Sequence, residues 1–150
     1  MVGPPSQPET SAVGRVPTAL WVLSGQALFV AVLYAPSASI GLLSDAYFVL
    51  GHVSQGLLHS LSWDGSYHYY PVANAFWAVL WKLFGLSALG YQIVSLAQFV
   101  GNGWLLYLLG RRLLGDWRVA LLGSLLFLGS SAPYEVTCWP INGNLHNLAA

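Results

Sequence analysis

From Val16 to Ser44 the chain carries no charged residue, and an acid, Asp45, follows at once. Inside that run, residues 18–35 lie between Pro17 and Pro36 and give 18 uncharged positions. At about 1.5 Å per residue they reach about 27 Å, close to the hydrocarbon thickness of a bilayer. The pattern predicts a first transmembrane helix. Its rival is a signal peptide, with Arg15 as the basic flank and Ser37, Ala38 and Ser39 near a cleavage site.

Over residues 46–61 the pattern changes. Tyr47, Leu50, Val53, Leu57 and Leu61 recur every three or four positions, while His52, Gln55 and His59 mark another face. That spacing predicts an amphipathic helix, too polar to span and suited to the membrane surface. Ser62 to Tyr70 reads as a loop. Pro71 then opens a second short helix that Gly85 stops, over residues 71–84. Fourteen residues rise only about 21 Å, so this helix too is placed on the surface. Trp77 and Trp81 are read as interface anchors.

The next span is predicted over residues 89–109, followed by a basic turn holding Arg111, Arg112 and Arg118. A third span covers residues 119–132, with a continuation towards Trp139 if the helix tolerates Pro133. Residues 132–147 are rich in turn formers, and a fourth span starts near His146. Residues 1–17, with four prolines, read as a disordered cytoplasmic tail. Residues 18–150 read as the N-terminal part of a longer transmembrane module, since the last residues, Leu145 to Ala150, form an apolar run without a stop signal.

Composition agrees with the pattern. The 150 residues are 56% hydrophobic and 7% charged, against about a quarter charged in soluble domains. Zero net charge and no basic run exclude nucleic acid as a partner. A single cysteine, Cys138, excludes an intrachain disulfide and a cysteine cage for a metal. The fold class expected is therefore an all-α membrane protein, a multi-span helical bundle with two membrane-parallel amphipathic helices in the first outer loop. Basic residues concentrate on the cytoplasmic side of membranes. Arg15, Arg111, Arg112 and Arg118 share one side only if residues 46–84 do not cross. The N-terminus is then cytoplasmic, and Asp45 and Glu135 both face outwards.

Several short motifs in this order carry a resemblance. They are Ser44-Asp45-Ala46-Tyr47, Tyr69-Tyr70-Pro71-Val72, Leu83-Phe84-Gly85, the stretch Tyr107 to Gly115 with its paired arginines, and Glu135-Val136-Thr137-Cys138-Trp139. From residue 18 onwards the chain resembles the GT-C class of integral-membrane glycosyltransferases, in the branch of protein O-mannosyltransferases and the lipid A aminoarabinose transferase. The resemblance implies an inverting transferase in a multi-pass membrane setting, such as a bacterial inner membrane. Its donor would be a polyprenyl-phosphate-linked sugar, its acceptor a hydroxyl of a protein, glycan or lipid, and its surroundings membrane lipids. Ala46 follows Asp45 where the family has a second acid. Tyr70 and Asn144 stand where it has basic residues.

By that resemblance Asp45 accepts the proton of the acceptor hydroxyl, while Glu135, Tyr70 and His146 touch substrate. The chemistry needs a carboxylate near the attacking oxygen and partly dehydrated. Asp45 also reads as a helix-end acid or N-cap of the 46–61 helix, and Glu135 as an exposed loop acid. Glu135 is equally suited to orienting the acceptor or a metal, so a divalent cation is the cofactor left open. His52 and His59, seven apart and about 10.5 Å along a straight helix, are too far apart to share one zinc. They read as the polar face of that helix. The alternative function is a non-enzymatic membrane protein, a transporter subunit or scaffold.

Overall fold

Arg15 begins the first helix, two residues ahead of Pro17, which falls in the first turn where no backbone donor is needed. The computed structural model describes residues 15–42, 44–62 and 70–130, with the backbone alone at 15–19, 44 and 45. Among these residues every regular element is helical: α1 Arg15–Tyr34, a 3₁₀ turn Ala35–Ser39, α2 Ser44–Val53, α3 Leu57–Ser60, α4 Pro71–Phe84, α5 Ala88–Leu114 and α6 Trp117–Gly129.

Two helical segments, Leu20–Ser39 and Ala88–Leu114, are long and apolar enough to cross a membrane. Only 22% of each is buried inside the protein, so most of their apolar surface points outwards, as at Trp21, Val32, Leu105 and Leu113. A core helix of a water-soluble domain hides that surface instead. The α6 helix has 13 residues and rises about 20 Å, short of the roughly 30 Å core. The expected continuation of this third span past residue 130, and the fourth span near His146, lie outside the described residues.

The packing of α1, α5 and α6 fixes their directions. Val22 packs with Tyr107 and Ala120, and Val30 and Tyr34 pack with Phe99 and Leu128. Rising numbers on α1 thus meet falling numbers on α5 and rising numbers on α6. The α1 and α6 helices are parallel to each other and antiparallel to α5. Polar side chains stitch the three together. Gln26 Nε2 donates to Ser124 Oγ at 2.8 Å and to the Gly103 carbonyl at 3.4 Å. Gln92 Nε2 donates to Ser37 Oγ at 2.8 Å, and the Tyr34 hydroxyl reaches the Leu128 carbonyl at 3.3 Å. Small and polar residues at such contacts are what helices use where apolar surface gains nothing by leaving lipid.

The remaining helices form a second cluster at one end. Ala46, Leu50 and Val53 of α2 bury against Ala73, Trp77, Ala78 and Leu80 of α4 and Tyr91 at the start of α5. Trp77, expected as an interface anchor, is instead a core residue at 3% exposure, with Trp81 partly buried beside it. The α4 boundaries follow the sequence signals, Pro71 in the first turn and Gly85 at φ +54 as the stop.

The α1 helix begins at Arg15, so residues 15–17 are helical rather than part of the disordered tail expected over 1–17; two further boundaries differ from expectation. The 46–61 segment is not one helix: it breaks over Ser54-Gln55-Gly56, where Gly56 takes φ +114 and ψ 165. That backbone region is essentially open to glycine alone. The second difference is at Gly110, which does not end α5. A Cβ there would lie 3.2 Å from that of Ala120, so this glycine serves a close helix approach. The helix continues through Arg111 and Arg112 to Gly115 at φ +70. Asp116 then caps α6, its Oδ1 accepting the Arg118 amide at 2.8 Å. The basic stretch is thus the tip of a tight α5–α6 hairpin.

Candidate functional site

The antiparallel order gives the protein two unlike ends. One holds the start of α1, the end of α5 and the start of α6, and so Arg15, Arg111, Arg112 and Arg118. The other holds the end of α1, the start of α5 and the α2–α4 cluster. Lys82, in the last turn of α4, lies at that second end.

Asp45 lies at this second end, in the first turn of α2. The next residue, Ala46, is 1% exposed and part of the α2–α4 core. The helix start therefore sits against packed protein, and an acid in a first turn is favoured by the helix dipole. Tyr70 occupies the N-cap position of α4. It is 39% exposed, and its carbonyl accepts the Asn74 amide at 2.8 Å. Asp45 and Tyr70 thus open two helices that pack on each other. Glu135 and His146 lie outside the described residues, as do His68 and Asp64.

The break at Gly56 rearranges the two histidines. His52 is in the last turn of α2 and His59 in α3. Their ring centres are 4.7 Å apart, with the planes tilted by 48°. The structure corrects the straight-helix expectation that kept these rings apart. Sequence periodicity missed the pair because it runs on across the break; Gly56 behind Ser54-Gln55 was the one signal. No group of three or more metal-ligating side chains forms among the described residues.

A cleft of about 460 Å³ lies between α1 and α6. Trp21, Val22, Phe29, Trp117 and Leu121 line it, with Gln26 in its wall. It opens on the apolar faces towards the arginine end, remote from Asp45. Its walls suit an aliphatic chain and offer no acid or base.

Compared with protein-family models, with curated proteins and with solved structures, the chain matches none. The class that the fold defines is therefore a broad one. Among the described residues the regular structure is all helical, and two of the helices are long and apolar enough, by length and composition, to cross a membrane.

Proposed function

We propose that this chain forms a membrane module of an inverting glycosyltransferase that uses a polyprenyl-phosphate-linked sugar on the outer face of the membrane. The observation that carries this reading is the sorting of charge by the helix order. Four arginines gather at one end, and Asp45 lies with the α2–α4 cluster at the other. With basic residues inside, the N-terminus is cytoplasmic and Asp45 is outside.

The cluster suits the membrane surface. The α2 helix has 10 residues and α4 has 14, about 15 and 21 Å, so neither crosses. Tyr47, Phe48, Leu58, Val72, Val79 and Leu83 are exposed, and apolar surface of this kind suits a place in the interface. In this reading α1, α5 and α6 are three members of a multi-span bundle.

In the proposed reaction the acceptor hydroxyl oxygen attacks the anomeric carbon of the donor sugar. The bond from that carbon to the phosphate oxygen breaks, and polyprenyl phosphate leaves with the electron pair. Asp45 takes the hydroxyl proton, Tyr70 contributes a phenol beside the substrate, and Glu135 and His146 complete the contacts. The step needs that carboxylate close to the attacking oxygen and partly dehydrated.

A transporter would place polar groups along a pathway at mid-membrane depth. Here Gln26 and Gln92 spend their amide donors on Ser124, Gly103 and Ser37, in contacts between helices. That use favours packing over transport. Membranes carrying the protein, supplied with radiolabelled polyprenyl-phosphate sugars, are expected to release polyprenyl phosphate and label an acceptor. No transfer from any such donor would leave the scaffold or transporter reading in its place.

A further inference from the structure

The pairing of His52 with His59 is a feature the transferase reading does not use. We infer that the two imidazoles form a two-histidine site for one divalent transition-metal ion, of the zinc or copper type.

Three observations converge on it. The first is the separation. With metal–nitrogen bonds of about 2.0–2.1 Å and angles of about 90–110°, two imidazoles on one ion have ring centres about 4.5–5.2 Å apart. The observed 4.7 Å falls inside that interval, and the 48° tilt is not that of stacked rings. The second is an unpaired donor atom: His52 Nε2 is buried with no hydrogen-bond partner. A buried polar nitrogen left in that condition is costly, and metal ligation is one way to satisfy it. The third is the backbone. A continuous helix would hold positions 52 and 59 about 10.5 Å apart along its axis. The Gly56 conformation at φ +114 breaks the helix between them, and the broken arrangement brings the rings into contact.

Local hydrogen bonds hold the break in place. Ser60 Oγ donates to the Gly56 carbonyl at 2.8 Å, Ser62 Oγ donates to the His59 carbonyl at 2.6 Å, and the Gly56 amide donates to the Val53 carbonyl at 3.2 Å. Val53 is 1% exposed in the α2–α4 core, so the His52 side of the pair rests on a fixed element. Neutral imidazole suits zinc, copper and nickel better than calcium or magnesium. Two protein nitrogens leave further positions on the ion for water or for oxygen donors.

The site stands apart from Asp45, at the opposite end of α2, and its test needs no transferase activity. The full chain, purified in detergent and stripped of metal with EDTA, is titrated with zinc chloride by calorimetry. One equivalent is expected to bind near pH 7.5. Excess EDTA should remove it again. His59→Gln changes an exposed residue, so the fold is kept, and at least tenfold weaker binding is expected. His52→Gln should match it, with circular dichroism confirming the helices, while His146→Gln should titrate like the wild type. Zinc affinity unchanged by His59→Gln, or no uptake by the wild-type chain, would overturn the assignment.

Discussion

Replacing Asp45 by asparagine is expected to slow sugar transfer by about 10²- to 10⁴-fold, the range that a positioned proton acceptor supplies. Asparagine keeps the size of the side chain and a comparable ability to start a helix. The fold of α2 should therefore survive, with Ala46, Leu50 and Val53 still packed on Trp77 and Ala78. The loss should appear in kcat, with the KM for donor nearly unchanged, because a proton acceptor acts in the transition state. A purely structural Asp45 behaves differently. An acid in the first turn of a helix contributes about 0.3–1 kcal/mol through the dipole, which would show as slightly lower stability at normal rates. Single-turnover kinetics and thermal unfolding on the same samples distinguish the two.

The second large effect is structural. Gly103→Val is expected to cost about 1–3 kcal/mol by overpacking the contact between α5 and α6. A Cβ at position 103 would lie 2.7 Å from Leu128 Cδ2 and 2.8 Å from its Cγ. Leu128 has no room to yield, being fully buried with Val30, Tyr34 and Phe99. The Gly103 carbonyl also accepts from Gln26, so a shift of α5 disturbs the polar contact with α1. Gly101, two residues earlier, has nothing within 4 Å of its would-be Cβ, and Gly101→Val is the matched control. Unfolding in detergent should separate the two variants. Equal stability would mean that α5 and α6 are not packed as described.

How much of this was legible in the sequence depended on whether a residue's signal was local. Pro71 and Gly85 bound α4 because each acts through its own backbone, and the sequence placed both ends correctly. The α1 and α5 helices were legible from long uncharged runs. The span expected to end at residue 109 runs on, because the role of Gly110 is set by Ala120, ten residues away in the chain but across the hairpin in space. Periodicity over 46–61 also misled. The residues that bury on α2 are Ala46, Leu50 and Val53, while Tyr47, Leu57 and Leu61 remain exposed. A helix rule carried across Gly56 cannot register that change of direction, nor the histidine contact it creates. Trp77 was assigned from the habits of tryptophan in membranes, and its burial follows from α2 lying over it. Of the candidate site, Asp45 and Tyr70 fall at the starts of α2 and α4, and the packing of these two helices on each other was not legible in the motifs. Glu135 and His146 lie outside the described residues.

Everything functional depends on the arginine end facing the cytosol and the α2–α4 end facing out. Side-specific labelling measures this most directly. Single cysteines are introduced as Lys82→Cys and Arg112→Cys in a Cys138→Ser background, both at exposed positions, and intact cells are treated with a membrane-impermeant maleimide. The topology predicts that Lys82→Cys is labelled at once and Arg112→Cys only after permeabilisation. Labelling of Arg112→Cys in intact cells would contradict it and would remove Asp45 from the outer face.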